Sequence, residues 1–80
     1  MNIREVVVGR ILELCKENNL SINGLATLAA VPPSTLKNII SGESKNPGIV
    51  TIKKLCDGLN ISIIDFFDTP EFRNLEQEIK

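Results

Sequence analysis

Histidine, tryptophan and tyrosine are absent from this 80-residue sequence, and cysteine occurs only twice, as Cys15 and Cys56. Without histidine the chain lacks the commonest general base and the commonest metal ligand. The two cysteines are far apart and outside any CxxC spacing, which favours neither a zinc site nor a disulfide framework. We therefore expect two buried, reduced thiols, no bound metal, no cofactor and no enzymatic activity.

Long apolar runs are also lacking. No run approaches the ~20 residues that span a bilayer, and the first residues contain no signal-peptide pattern. The composition, 42% hydrophobic and 24% charged, is typical of a globular domain. Because aromatic residues are few, aliphatic side chains must build most of the core. We expect one small cytoplasmic domain with no membrane partner.

The net charge is only −1, but the charges are unevenly distributed. Residues 18–56 carry four lysines against one acidic residue, whereas residues 57–80 carry six acidic residues against two basic ones. The four lysines are Lys37, Lys45, Lys53 and Lys54. Local charge steers a ligand more than the total does, so the middle of the chain favours a polyanionic partner. The alternative is a solvated basic face without a partner.

Apolar residues recur at helical spacing, and no segment alternates as a strand does. Ser21 and Ser62 are good N-caps, Pro33 suits a first helical turn, and Gly42 suits a helix end. The pattern predicts an all-α fold with helices at about 2–18, 22–29, 33–41 and 49–58, a fifth helix from Ser62 to about 68, and a short C-terminal helix from Pro70. Small residues in the second helix, Ala26 and Ala29, should allow another helix to approach closely. The fourth helix should bury Ile49, Ile52, Leu55 and Cys56, with Leu59 at its end.

Helices 22–29 and 33–41 form a pair of short helices joined by a break of a few residues. Such a pair is typical of a helix-turn-helix unit. The outer side of the second helix carries small polar and amide side chains, Thr35, Lys37, Asn38 and Ser41. A protruding helix of this kind fits the major groove of DNA, where amides and hydroxyls can pair with base edges.

The segment from Leu20 to Phe67 resembles the Cro/C1-type helix-turn-helix family, which includes phage repressors and many small bacterial regulators. The first half matches in order at Leu20-Ser21, Leu25-Ala26, Ala29, Val31, Ser34-Thr35-Leu36, Ile39 and Gly42. The second half matches at Asn46-Pro47, Thr51-Ile52, Lys54-Leu55-Cys56, Leu59, Ile61-Ser62 and Phe66-Phe67. The resemblance covers residues 10–68. It implies a five-helix, lambda-repressor-like domain over residues 1–69, followed by a helical extension over residues 70–80.

The resemblance also implies a DNA-binding site. Base readout should rest on Ser34, Lys37 and Asn38, with Thr35 and Ser41 nearer the phosphates. The loop that follows the recognition helix should add Lys45 and Asn46, Lys45 being the best phosphate contact of the four lysines.

Several positions depart from the family pattern. Ile22 stands where relatives usually carry Gln, Ala30 where they carry Gly, and Pro32-Pro33 replaces Ser or Thr and a polar residue. A left-handed conformation at Ala30 would cost ~1–2 kcal/mol. Cys15 and Ile40 replace an Arg–Glu ion pair between the first and third helices. Exchanging both partners for apolar residues avoids a stranded charge, so Cys15 and Ile40 should lie near each other.

Two functions remain open on this evidence. The lysines and Asn38 favour a transcriptional regulator that binds specific double-stranded DNA, and the resemblance to phage repressors implies a repressor. Ile22, Pro32-Pro33 and the acidic C-terminal region favour an antitoxin-like or other protein-interaction module on the same fold. A regulator should act as a homodimer, because one short helix reads few base pairs. Phe72, Leu75 and Ile79 could pair with a second copy, assisted by Phe66 or Phe67, or could fold back on their own core.

Overall fold

A computed structural model describes residues 1–79, and these residues form six helices and no strand. The fold class predicted from the sequence is therefore confirmed. The helices are α1 (Ile3–Glu17), α2 (Ile22–Ala29), α3 (Pro33–Ser41), α4 (Ile49–Leu59), α5 (Ile63–Phe67) and α6 (Pro70–Arg73). Among these helices, none is long and apolar enough to cross a membrane.

Side-chain caps explain where three of the helices begin. The Ser21 hydroxyl accepts a hydrogen bond from the Gly24 amide at 2.9 Å, as expected of an N-cap. Ser62 and Asp65 form the predicted capping box of α5, with hydrogen bonds of 3.0 and 3.4 Å. A second capping box, Asn2 with Glu5, opens α1 and was not predicted. Its residue types at i and i+3 are the signal that could have found it.

The centre of the core is the contact between α2 and α4. A side chain at Gly58 would lie only 3.0 Å from the backbone of Leu28 and Ala29, so these two helices touch through their main chains. Ala26 is fully buried and Ala29 is 6% exposed, which confirms the role predicted for the small residues. The remaining core comes from α1, α3, α4 and α5, through buried residues that include Ile11, Leu14, Leu36, Ile39, Ile52, Leu55 and Phe66.

Arg10 connects α1 to the end of α5. Its Nε donates to the carbonyl of Phe66 at 2.8 Å, and an Nη donates to the carbonyl of Asp65 at 2.9 Å. The side chain is only 14% exposed. A guanidinium at this place satisfies carbonyls that a helix leaves unpaired at its C-terminus and complements the helix dipole. It therefore holds the short α5 in place from a distant part of the sequence.

The C-terminal segment differs from the prediction. Helix α6 ends at Arg73, so Phe72, Leu75 and Ile79 do not form one helical face. Phe72 is half-buried, and its ring centroid lies 4.9 Å from that of Phe67, which in turn packs on Phe66. Aromatic packing on the chain's own core explains this arrangement, since a four-residue helix has little stability of its own. The expected helix through residues 70–80 is therefore wrong, and Phe72 takes the fold-back arrangement, while Ile79 is 89% exposed.

Both cysteines are buried and free, as predicted. Burial raises the pKa of the Cys15 thiol and is the main cause of the raised pKa of Cys56. Both thiols are therefore protonated and weakly nucleophilic at neutral pH. Cys15 belongs to the core, and the half-buried Ile40 packs against that core. Direct contact between Cys15 and Ile40 stays a prediction.

Candidate nucleic-acid interface

The turn between α2 and α3 fixes how α3 leaves the core. Ala30 adopts the left-handed conformation at φ 55°, ψ 39°, which favours glycine over a residue with a side chain. The next residue, Val31, is 5% exposed, and its amide donates to the carbonyl of Ala26 at 2.9 Å. Pro32 is extended and Pro33 begins α3. The buried side chain of Val31 thus holds the turn against the core. The two prolines restrict the backbone angles at the start of α3.

Helix α3 has one buried face and one exposed face. Leu36 is fully buried and Ile39 is 2% exposed, so these two side chains attach the helix to the core. The residues predicted to contact DNA from this helix are all exposed: Ser34, Thr35, Lys37, Asn38 and Ser41. Positions three and four apart lie on the same side of a helix, so 34, 37, 38 and 41 form one stripe. The nine residues of α3 give the helix a length of about 13 Å, and the stripe spans about 10 Å of it.

Asn38 links the end of α3 to the loop that follows. Its backbone carbonyl accepts a hydrogen bond from the Ser44 amide at 3.0 Å and another from the Ser41 hydroxyl at 3.2 Å. Its side-chain amide makes no hydrogen bond with any residue of the described chain. The donor and acceptor of the side chain are therefore both available, which is the pattern that recognises adenine in the major groove.

The loop of residues 43–48 carries the other two predicted contacts. Lys45 and Asn46 are both exposed. Because Ser44 is bonded to Asn38, the loop turns beside the C-terminal end of α3 and presents Lys45 there. The structure therefore brings all seven predicted residues to α3 and the loop directly after it.

The four lysines of the middle segment are not equivalent. Lys53 forms an ion pair with Asp57, one turn later in α4, and this hydrogen bond raises the pKa of Lys53. Lys37, Lys45 and Lys54 form no ion pair within residues 1–79. The sequence analysis singled out Lys45 but did not set Lys53 apart, although the i, i+4 spacing of Lys53 and Asp57 signals the pair. Three of the lysines thus remain free to meet an anion.

The start of α2 offers fewer polar groups. Ile22 is half-buried and packs against the core, while the Ser21 hydroxyl is engaged with the Gly24 amide. Ile22 therefore offers no polar group to a ligand, and the exposed polar side chains of α2 are Asn23 and Thr27.

A first helix that packs on the core through Leu25, Ala26 and Ala29, a short turn and a second helix with an exposed polar face are typical of a helix-turn-helix DNA-binding domain. The family model for the Cro/C1-type HTH DNA-binding domain matches residues 10–71. The chain therefore belongs to the Cro/C1-type helix-turn-helix family, as its sequence suggested. It is also similar to the crystal structure of the prophage Lp1 protein 11, with 42% identity, a TM-score of 0.81, and coverage of 94% of this chain and 100% of that one. No curated protein matches the chain.

Proposed function

We propose that this protein is a transcriptional repressor that binds specific double-stranded DNA by placing α3 in the major groove. The observation that carries the proposal is the exposed stripe of α3, with the unpaired amide of Asn38 at its centre. A helix about 13 Å long suits a groove about 12 Å wide. The family is a DNA-binding one, which supports a binding protein rather than an enzyme.

Each polar residue has a distinct role in this proposal. Ser34, Lys37 and Asn38 face the base edges, and Asn38 selects adenine through its amide. Thr35, Ser41, Lys45 and Asn46 contact phosphates, which fix the register of α3 but carry no sequence information. Apolar contact from Pro33 to a thymine methyl group completes the stripe.

Phosphate contact is tested by salt dependence. We expect affinity for duplex DNA to fall steeply as salt rises, with about one counterion released per contacted phosphate. Lys45→Ala should weaken binding to every duplex alike and make the salt dependence shallower by about one counterion. Lys53→Ala is the matched control, because Lys53 is already paired with Asp57. Salt-independent binding, or equal losses for the two variants, would contradict the proposal.

A homodimer in the cytoplasm completes the proposed function. Two-fold pairing would place two α3 helices about 34 Å apart, one turn of DNA. The test is sedimentation of the full chain at micromolar concentration, combined with binding to a palindromic site and to its half-site. A monomer in solution that binds the palindrome no better than the half-site contradicts the dimer.

A protein-interaction module, such as an antitoxin, is the second candidate. The observation that favours it is the exposed pair Ile49 (61%) and Val50 (67%) at the start of α4, where the sequence predicted that Ile49 is buried. The burial prediction is wrong because Ile49 lies in the first turn, ahead of the part of α4 that packs on α2. A gel shift on the protein's own upstream DNA, with and without the product of a neighbouring gene, separates the two functions. Binding only in the presence of that product favours the second.

A further inference from the structure

Arg4 lies in the first turn of α1, outside the segment that the family model matches. It is exposed and borders two grooves. One groove, of about 170 Å³, separates Arg4 from Lys45, Asn46 and Pro47. The other, of about 350 Å³, separates it from residues at the C-terminal end of α3, including Ser41. The start of α1 therefore lies beside both the end of α3 and the loop that carries Lys45.

Within residues 1–79, neither Arg4 nor Lys45 forms an ion pair. The acidic residue nearest to Arg4 in sequence, Glu5, is engaged in the capping box, where its carboxylate accepts from the Asn2 amide at 3.1 Å. Two unpaired cations that border one groove repel each other, and an anion between them relieves this repulsion. An arginine is well suited to a phosphate, because its planar fork can donate two parallel hydrogen bonds.

The two ends of α3 differ in what they offer a phosphate. The N-terminal end presents free amides and the positive end of the helix dipole, whereas the C-terminal end presents carbonyls and the negative end. Because α3 is about as long as the groove is wide, a DNA strand that borders the groove passes near each end. A strand at the C-terminal end needs cations from elsewhere in the fold, and Lys45 and Arg4 are in position to supply them.

We propose that Arg4 is a second phosphate-binding residue beside Lys45, so that the DNA-backbone surface extends from the α3–α4 loop onto the first turn of α1. This inference rests on the proposed function, since it assumes that α3 enters the groove. The ligand is the sugar–phosphate backbone of duplex DNA and not a base. The contribution of Arg4 is therefore independent of DNA sequence.

The test is the affinity of the full chain for a fluorescently labelled random-sequence 24-base-pair duplex, measured by anisotropy at several salt concentrations. Arg4→Gln is expected to weaken binding about five- to tenfold at 0.1 M salt and to reduce the salt slope by about 0.9. Arg4→Lys should retain most of the slope, because the charge is kept. Arg73→Gln is the matched control: Arg73 is paired with Asp68 in the C-terminal segment, and α6 borders the opposite side of α1, near Met1 and Val6.

The possible results separate this inference from the proposed function. If the unmodified chain binds the duplex and Arg4→Gln retains the slope and affinity of Arg73→Gln, the role of Arg4 is overturned and the proposed function stands. If Arg4→Lys loses as much of the salt slope as Arg4→Gln, the phosphate contact is likewise overturned, because the slope reports the charge that both Arg and Lys carry. If the unmodified chain binds no duplex at any salt concentration, the role of Arg4 and the proposed function are both contradicted. Thermal melting of each variant verifies that all are folded.

Discussion

Helices α3 and α4 follow one another in the chain but have different roles in the protein. Helix α4 packs so closely against α2 that a methyl group at Gly58 would meet the backbone of α2. The outer side of α3, by contrast, is open to solvent at Ser34, Thr35, Lys37, Asn38 and Ser41. Their apolar faces are alike, since each buries residues such as Leu36 or Leu55 completely. The two helices differ on their exposed faces, which are polar on α3 but include the apolar Ile49 and Val50 on α4. It follows that substitutions around α4 should change stability, while substitutions on the outer side of α3 should change binding.

The largest effect on stability is expected from the buried face of α3 itself. Leu36 is fully buried, so Leu36→Ala should lower the free energy of unfolding by about 2–5 kcal/mol through lost packing and a cavity. Urea denaturation monitored by circular dichroism measures this loss. Its neighbour on the outer face provides the contrast: Lys37→Ala should change stability by less than about 0.5 kcal/mol. A small loss for Leu36→Ala would mean that α3 is not held by its buried face.

Substitutions on the outer face of α3 should change DNA binding and leave stability nearly unchanged. Asn38→Ala is expected to weaken binding to the preferred DNA site by about 1–3 kcal/mol, with little loss on other sequences and little change in stability. Selection from a random duplex library identifies the preferred site, and anisotropy then measures both affinities. An equal loss on every sequence would show that Asn38 does not read bases.

The contact between α2 and α4 can be probed with two glycines that are both inside helices. A methyl group at Gly58 meets the backbone of α2 at 3.0 Å, so Gly58→Ala should destabilise the fold by about 1–3 kcal/mol. Nothing lies within 4 Å of the corresponding position at Gly9. Gly9→Ala should therefore stabilise α1, by up to about 1 kcal/mol. Chemical denaturation of both variants measures the change in the free energy of unfolding. If both substitutions stabilise or both destabilise the fold, the close packing of α2 on α4 is contradicted.

The smallest expected effect is in the turn, where adjacent alanines should respond in opposite directions. Ala30 is left-handed, so Ala30→Gly should stabilise the fold by about 0.5–1 kcal/mol. Ala29 is helical and 6% exposed, so Ala29→Gly should destabilise it by about 1 kcal/mol or more. Thermal or urea unfolding measures both. A loss of stability in Ala30→Gly would mean that the alanine is not strained.

Most of the fold could be predicted from the sequence because its signals are local. The bounds of α2 and α3 follow from Ser21, Pro33 and Gly42, each of which acts within one helical turn of its own position. The exposure of Ser34, Lys37 and Asn38 follows in turn from the burial of Leu36 and Ile39. Their contact with DNA rests on the family resemblance and stays a prediction.

What the sequence did not predict depends on contacts between distant residues. Arg10 binds carbonyls more than fifty positions away, and no local pattern identifies such partners. The end of α6 depends on Phe72 reaching the rings of Phe66 and Phe67, which fixes the segment without further helix. The position of Arg4 beside Lys45 similarly arises from how α1 crosses the α3–α4 loop.

The hydrogen bond from Ser44 to Asn38 uses a carbonyl that every amino acid possesses. The attachment of the loop to α3 is therefore indifferent to which side chain occupies position 38. The Ser41 hydroxyl donates to the same carbonyl from within α3, so Ser41 is the outward residue whose side chain shares this hydrogen-bonding arrangement. The side chains at positions 34, 35, 37 and 38 can thus be substituted together while the hydrogen bond between the loop and α3 is kept. If α3 reads bases as proposed, exchanging these four residues as a set should change the preferred DNA site without loss of the fold.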